Sequence, residues 1–162
     1  MNQTTNFRQT ILQVSKKAAV MMALLLTLVT SYSFARPADS VTINGEIKTS
    51  FSKNFRNAQL MSTEAHEAFT KLTFKMNNVI MFAFYSNSGE LLAVTRNITS
   101  SQLPINLLLS LKNDYSAYWI TELFEFNGDN ENCYYVSLES ADAKVTLRSN
   151  GDSWEVYRTV KK

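Results

Sequence analysis

Two stretches of the chain, SNSGELLAVTRNI at residues 86–98 and RSNGDSWEVYRTV at residues 148–160, carry one pattern. A single offset aligns a glycine, a valine and an arginine in both: Gly89 with Gly151, Val94 with Val156, and Arg96 with Arg158. Each stretch runs from a turn of Asn, Ser and Gly residues, which tolerate positive φ, into a strand-like segment. The repeated pattern predicts the same β-hairpin in two places, and therefore two similar halves.

Each half is predicted to begin with a helix. Apolar residues recur at helical spacing at Ile43, Ile47, Phe51 and Phe55, and again at Leu107, Leu108, Leu111 and Tyr115. Such spacing places the apolar side chains along one side of a helix. We expect the first helix to end near Asn57, and Pro104 suits the first turn of the second helix.

Four strand-like segments follow each predicted helix. They read QLMSTEA, FTKLTFKM, VIMFAFY and ELLAVTRNI in the first half, and YWITELFEF, CYYVSLE, AKVTLRS and SWEVYRTV in the second. The predicted fold is α+β, with two tandem helix-plus-antiparallel-meander repeats, about residues 44–99 and 100–162, in one sheet covered by helices on one face. Internal duplication would explain the repetition, and chance is the alternative because few positions are identical.

The first 35 residues have the features of a secretory signal peptide. Three basic residues precede an apolar run, Ala18–Val29, that is shorter than the ~20 residues of a membrane span. Small residues at Ser33 and Ala35 then occupy the positions that a signal peptidase reads. We expect cleavage after Ala35, a flexible N-terminal segment at residues 36–43, and a periplasmic or secreted protein with no membrane contact. A retained anchor or a buried helix is the alternative.

Charge and cysteine content narrow the possible partners. The whole chain has 16 Lys and Arg residues against 14 Asp and Glu, but removing the signal peptide leaves 13 basic residues and a net charge of −1. No basic stripe remains for nucleic acid. Cys133 is the only cysteine, so the fold must be stabilised by its core without a disulfide, and we expect an inert thiol in a monomer.

The residue types needed for catalysis or metal binding are scarce. His66 is the only histidine and is expected to be a solvated loop residue. Glu122 and Glu125 alternate with aromatics and are expected on a solvated strand face. The turn at residues 128–132 lacks the ligand spacing of a calcium loop. We therefore expect no enzyme activity, no metal and no cofactor.

Alternation along the strands predicts which aromatic side chains remain for binding. In the second half the helix-covered side should carry Tyr134, Val136, Leu138, Val145, Leu147, Trp154 and Val156. The open side should carry the candidate partner-binding residues Trp119, Tyr135 and Tyr157, joined from the first half by Met81 and Tyr85, with Leu91 beside them. Aromatic residues on a polar face are typical of binding hot spots, although cross-strand stabilising pairs without a partner are the alternative.

Several segments carry a family resemblance. They are FTKLTFKM, VIMFAFYSNSGELL, Leu103-Pro104, Tyr115, ITE at 120–122, YYVSL at 134–138 and NGD at 150–152. These segments resemble the exported bacterial PepSY-like proteins, which are often described as similar to beta-lactamase inhibitory protein. The resemblance extends over roughly residues 44–162. Such proteins commonly carry a Trp in the first strand, where this chain has LMSTE. The resemblance implies a protein-binding module, including an inhibitor of a peptidase or of another enzyme, and brings no catalytic residues.

Two other functions remain open. A periplasmic small-ligand carrier would bind its ligand between the helices and the sheet, but the many Phe and Leu residues favour a filled core over a cavity. An enzyme is the least supported class, because the chain offers no pairing of a nucleophile with a base.

Export can be tested on the native protein. Mass spectrometry should detect a chain that begins at Arg36 or within a few residues of it, because the apolar run and the small residues before Arg36 match a cleaved signal. A chain that retains Met1 in the membrane fraction would contradict this prediction.

Overall fold

A computed structural model describes residues 43–128 and 131–162 of the 162-residue chain. The predicted signal peptide and nearly all of the predicted flexible segment at 36–43 lie outside the described residues. No helix of the described part is long and apolar enough to cross a membrane.

The described chain consists of a helix and four strands, followed by a second helix and four more strands. The helices are α1 (Gly45–Asn54) and α2 (Ile105–Asp114), and the strands are β1 (Gln59–Ala65), β2 (Thr70–Met76), β3 (Val79–Tyr85), β4 (Leu91–Asn97), β5 (Trp119–Gly128), β6 (Glu131–Glu139), β7 (Ala143–Asn150) and β8 (Ser153–Lys161). A short 3₁₀ turn, Ser100–Gln102, precedes α2. All eight strands form one antiparallel sheet in sequence order. The predicted α+β fold is therefore confirmed.

Both helices pack on the same face of the sheet. Ile47 and Phe51 of α1 are buried with Leu72, Phe74 and Tyr85. In the second half, α2 buries its apolar side against a matching cluster of sheet residues that includes Leu123, Val136, Leu138, Val145 and Leu147. The apolar stripes predicted from the sequence therefore form two helix-covered cores side by side.

Equivalent contacts recur in the two halves. The Asn44 side chain donates a hydrogen bond to the Asn87 carbonyl in the β3–β4 turn, at 3.2 Å. The Asn106 side chain does the same to the Asp152 carbonyl in the β7–β8 turn, at 3.1 Å. Asn44 and Asn106 are related by the offset that aligns Gly89 with Gly151. This shared contact favours internal duplication, which stays a hypothesis.

The β2–β3 hairpin corrects the predicted orientation of the first half. A two-residue turn at Asn77-Asn78, both at positive φ, pairs Met76 with Val79 and Thr73 with Phe82. Directly paired residues face the same side, so an odd-numbered residue of β2 shares its side with an even-numbered residue of β3.

The prediction that Met81 and Tyr85 lie on the open side was therefore wrong. Tyr85 is fully buried in the cluster beneath α1, and Met81 and Leu91 pack against that cluster. The open side carries Phe82 and Phe84 instead. Because VIMFAFY is apolar at almost every position, alternation within the strand could not determine which side chains point outward.

The two turn glycines differ in their surroundings. Gly89 has φ +79°, and a Cβ atom there would lie 3.0 Å from the backbone of Glu46 in α1. Gly151 has φ +61° with open space around the Cβ position. Both need the left-handed conformation, but only Gly89 also lies closely against a helix.

Alanine at each glycine separates these two requirements. Both variants should pay ~1–2 kcal/mol for the left-handed backbone. Gly89→Ala should lose about 1 kcal/mol or more beyond Gly151→Ala, because only its new methyl group collides with α1. Urea denaturation measures both losses, and equal losses would show that α1 does not constrain the β3–β4 turn.

Candidate protein-binding face

The sheet face turned away from α1 and α2, here called the open face, is defined by the strand register. One row across it runs Ser62, Thr73, Phe82, Thr95, Phe126 and Cys133, each paired with the next. A second row runs Glu64, Lys71, Phe84, Ala93, Gly128 and Glu131, and a third includes Phe124, Tyr135, Arg148 and Glu155. The middle of this face is aromatic, and its margins are polar or charged.

Five aromatic residues form a buried cluster on the open face, here called the aromatic layer: Phe69, Phe84, Phe124, Phe126 and Tyr135. Each is at most 3% exposed, and the cluster, which also contains Ala93 and Cys133, includes no helix residue. The rings of Phe124 and Tyr135 stack with centroids 5.3 Å apart. The Phe126 ring meets Tyr135 edge-on at 6.0 Å. These rings bury one another.

Small residues make room for this arrangement. A Cβ atom on Gly128 would lie 2.8 Å from the ring of Phe126, so that ring occupies the space a side chain would fill. Ala93, the partner of Gly128 on β4, is small as well. The Phe126 ring therefore lies over the backbone of its own strand, which is why its exposure is low.

The five candidate residues divide into three groups. Met81 and Tyr85 lie on the helix side. Tyr135 lies on the open face but is only 1% exposed, so it cannot be an exposed anchor as predicted. Trp119 and Tyr157 lie on the open face and are 53% and 40% exposed. The structure places Tyr157 against Tyr135, with ring centroids 5.7 Å apart, whereas Trp119 lies at the far end of β5.

The sequence analysis missed the aromatic residues of the first half that face outward, Phe82 and Phe84. The two-residue turn at Asn77-Asn78 was the signal that could have found them, because it fixes which residues pair. The sequence analysis also expected Glu122 and Glu125 on one solvated strand face. They lie on opposite faces of the sheet, because their strand partners, Ser137 and Tyr134, face opposite sides. Glu122 is half-buried, and burial raises its pKa.

An ion pair borders the aromatic layer where β6 begins and β7 ends. The Glu131 carboxylate accepts a hydrogen bond from Arg148 Nε at 2.7 Å and one from the Cys133 thiol at 3.0 Å. Burial raises the pKa of Cys133 to about 12, and the hydrogen bond to the Glu131 carboxylate acts in the same direction. The thiol is thus a buried neutral donor, in agreement with the inert cysteine expected from the sequence.

Charges also surround Trp119. The Lys162 ammonium lies 5.6 Å from the centroid of the Trp119 ring and 2.6 Å from Glu139, which also pairs with Lys144. The hydrogen bond from Lys162 lowers the pKa of Glu139. Arg158, which pairs with Thr146 on this face, forms no ion pair within residues 43–128 and 131–162. The exposed end of the face therefore combines aromatic and cationic groups.

His66 differs from its predicted environment. It lies in the β1–β2 loop, as expected, and is only partly exposed. Its ring stacks on Phe69 at 4.5 Å, and its Nε2 atom is buried without a hydrogen-bond partner among the described residues. Across those same residues, no group of three His, Cys, Asp or Glu side chains is placed to hold a metal ion.

Comparisons with known proteins support the fold. No protein-family model matches the chain, and no curated protein matches it. A DUF2874 family protein from Bacteroides uniformis is 12% identical, with a TM-score of 0.65 and coverage of 74% of this chain and 89% of that protein. A candidate periplasmic protein from Bacteroides eggerthii is 11% identical, with a TM-score of 0.64 and coverage of 73% and 88%. A BLIP-like protein from Bacteroides fragilis is 15% identical, with a TM-score of 0.63 and coverage of 80% and 89%. The chain thus has a BLIP-like fold.

The environment of Cys133 predicts low thiol reactivity. With a pKa of about 12, roughly one thiol in ten thousand is ionised at pH 8. Because the thiolate is the reacting species, Ellman's reagent should modify native Cys133 at least about a hundredfold more slowly than the urea-unfolded chain. Equal rates in the two states would contradict both the burial of Cys133 and its raised pKa.

Proposed function

We propose that this protein is an exported protein-binding module that holds its partner on the open face, with Trp119 and Tyr157 as anchors. The observation that carries this proposal is the contrast in exposure on that face. Trp119 and Tyr157 are open to solvent, whereas the aromatic layer is closed. Half-exposed Trp and Tyr side chains offer a partner large apolar areas at low entropy cost.

The sheet edges are less suited to a partner than the face. β1 carries a bulge at Met61, and β8 carries one at Tyr157. β8 also carries the basic residues Arg158 and Lys161. Bulges and basic side chains on edge strands obstruct pairing with another chain's strand. Addition of a partner strand is therefore disfavoured at both edges, which also supports a monomer.

The aromatic layer gives the face a rigid base. Tyr135 contacts the rings of Phe124, Phe126 and Tyr157, so the residue beneath the Tyr157 anchor is fixed by packing. A surface that is ordered before binding loses little conformational entropy when a partner docks. This favours a binding role for the face over cross-strand stabilisation alone.

Other features fit the same proposal. The BLIP-like fold and the likeness to a candidate periplasmic protein support an exported binding protein, and an inhibitor of a peptidase or another enzyme is its more specific form. We further propose that the protein is a member of the PepSY-like family and has no enzyme activity. A small-ligand carrier is less favoured, because the helix–sheet contact is filled by fully buried side chains such as Leu72, Leu107 and Val136.

Partner capture with paired variants tests the function. The tagged mature chain, residues 36–162, is incubated with native periplasmic and secreted proteins, alongside Trp119→Ala and Tyr157→Ala. Both variants should stay folded. Trp119→Ala should remain within about half a kcal/mol of the unmutated protein, because it truncates an exposed side chain, whereas Tyr157→Ala should lose about 1 kcal/mol because it also removes the ring contact with Tyr135. Each should lose tenfold or more in affinity for any specifically captured protein, as hot-spot residues do.

Matched controls lie on the opposite side of the molecule. Ile105 and Leu109 are exposed apolar residues of α2, so Ile105→Ala and Leu109→Ala remove similar surface without touching the open face. They should retain the captured protein. Full retention by the Trp119 and Tyr157 variants, or loss with the α2 variants, would reject the open face as the interface.

A further inference from the structure

Glu122 is a half-buried carboxylate on the open face that no cation of the protein pairs with. Its strand partner, Ser137, lies on the open face because it is two residues along β6 from Tyr135. Glu122 forms no ion pair within residues 43–128 and 131–162. Other glutamates of this face do pair with Lys or Arg side chains there: Glu64, Glu131 and Glu139. Glu122 therefore places an uncompensated negative charge on the open face.

The described part of the chain supplies this carboxylate with one neutral hydrogen-bond donor. Burial raises the pKa of Glu122, and the hydrogen bond from Ser137 opposes that rise. Lys162 and Lys144 act on Glu139 instead, where they lower its pKa. Because a carboxylate has about four acceptor positions, a single hydroxyl donor leaves most of that capacity free.

The position of Glu122 on β5 is open to a partner. Successive side chains on the open face of β5 are Trp119, Glu122 and Phe124, with a bulge at Thr121 between the first two. The β4 ladder ends at Asn97, opposite Phe124, so no β4 residue pairs with Glu122. Trp119 is 53% exposed, and Thr121 is exposed as well. A partner's side chain can therefore approach Glu122 beside the Trp119 anchor.

Two other unpaired polar groups of the open face do not offer this combination. The Tyr135 hydroxyl has no hydrogen-bond partner among the described residues, but it is enclosed in the aromatic layer. Arg158 has no ion pair there either, but its exposed side chain is solvated. Arg158 also lies three strands from Glu122 in the row through Ser137 and Thr146. At ~4.8 Å per strand, that separation is about 14 Å between backbones, so Arg158 does not neutralise Glu122.

A guanidinium group has the chemistry that this position requires. It is a planar cation that donates two parallel hydrogen bonds to one carboxylate, and it also stacks on aromatic rings. An ammonium group lacks the planar face, and a second carboxylate would be repelled by Glu122. Arginine is therefore the side chain that satisfies the carboxylate and the neighbouring Trp119 ring together.

We propose that Glu122 binds an arginine side chain of the partner, seated beside Trp119 at the β5 end of the open face. This inference rests on the proposed function and specifies the chemistry of the partner, a segment that presents arginine next to the residue packed on Trp119. The half-buried carboxylate that lacks a cation in the free protein is paired in the complex. A partner without the arginine would leave that carboxylate desolvated and unpaired, so the position contributes specificity.

Two small probes of nearly the same shape test the charge. N-acetyl-arginine methylamide carries the guanidinium group, and N-acetyl-citrulline methylamide replaces it with a neutral urea group. In NMR titrations the unmutated protein should bind the arginine probe about three- to fivefold more tightly, which is the contribution of one partly exposed ion pair. The largest shifts should occur at Trp119 and Glu122. Equal binding of the two probes would overturn the proposal.

Glu122→Gln removes the charge and preserves the shape of the side chain. The variant should bind the two probes equally. Its unfolding constant in urea at pH 7 should be unchanged or lower, because a raised carboxyl pKa in the folded state means that the ionised form decreases stability above the pKa of the unfolded chain. A preference for arginine that survives this substitution, or an unfolding constant raised more than about threefold, would reject the role of Glu122.

Matched variants separate the charge from the ring. Glu155→Gln neutralises an exposed carboxylate of the same face, one that accepts a hydrogen bond from Asn150, and should keep the preference for arginine. Trp119→Ala should weaken both probes and also keep the preference, because it removes the ring and leaves the carboxylate. Loss of the preference in Glu155→Gln would show a general charge effect and contradict a site at Glu122.

A second copy of this chain is the alternative source of the arginine, through Arg158. Sedimentation of the unmutated protein should show a monomer if the arginine belongs to a separate partner. A dimer that dissociates in both Glu122→Gln and Arg158→Gln would replace the proposal with self-association.

Failure of this inference is distinct from failure of the proposed function. If capture depends on Trp119 while the unmutated protein binds the two probes equally, only the role of Glu122 is lost. If the probes behave as expected and capture is independent of Trp119 and Tyr157, the guanidinium site remains and the proposed protein-binding interface is lost.

Discussion

The pairing of β4 with β5 is the constraint on which the rest of the molecule depends, because it joins two four-stranded sheets into one. The ladder runs from Ala93 and Gly128 to Asn97 and Phe124, and the Ile98 N–H extends it by donating to the Leu123 carbonyl at 3.0 Å. This register brings the aromatic residues of the two halves onto one open face. A slip of one residue would turn β5 over and move Phe124 and Phe126 to the helix side.

The sequence predicted the elements of this sheet better than their orientation. Turns at Asn77-Asn78 and Gly151 were recognisable because few residues adopt positive φ without strain. In the second half, apolar residues such as Val136 and Leu138 alternate with polar ones, and they lie on the side that alternation predicts. In the first half, VIMFAFY offers no such contrast, so only the pairing across the hairpin reveals which of its residues face α1.

The candidate site was less predictable because exposure depends on residues distant in sequence. Tyr135 was assigned to the correct face, but its burial requires Phe124 and Phe126 from β5 and Tyr157 from β8. Space for the Phe126 ring depends in turn on Gly128. Trp119 remains exposed because it begins a strand beyond these contacts. Strand periodicity gives the direction of a side chain and contains no information about what covers it.

A sheet with helices on only one side leaves its other face in contact with solvent, and the side chains of most such faces are polar. This chain buries a layer of aromatic rings there and leaves the large aromatic side chains of Trp119 and Tyr157 outside it. Within the layer lies a hydroxyl that has no hydrogen-bond partner among residues 43–128 and 131–162. The buried layer increases stability. The exposed aromatic side chains decrease solubility, and the unpartnered hydroxyl decreases stability. Proteins generally keep such local exceptions where function requires them. Because the exceptions Trp119, Tyr135 and Tyr157 all lie on the open face, and because bulges obstruct both sheet edges, the binding function that we propose would account for these features together.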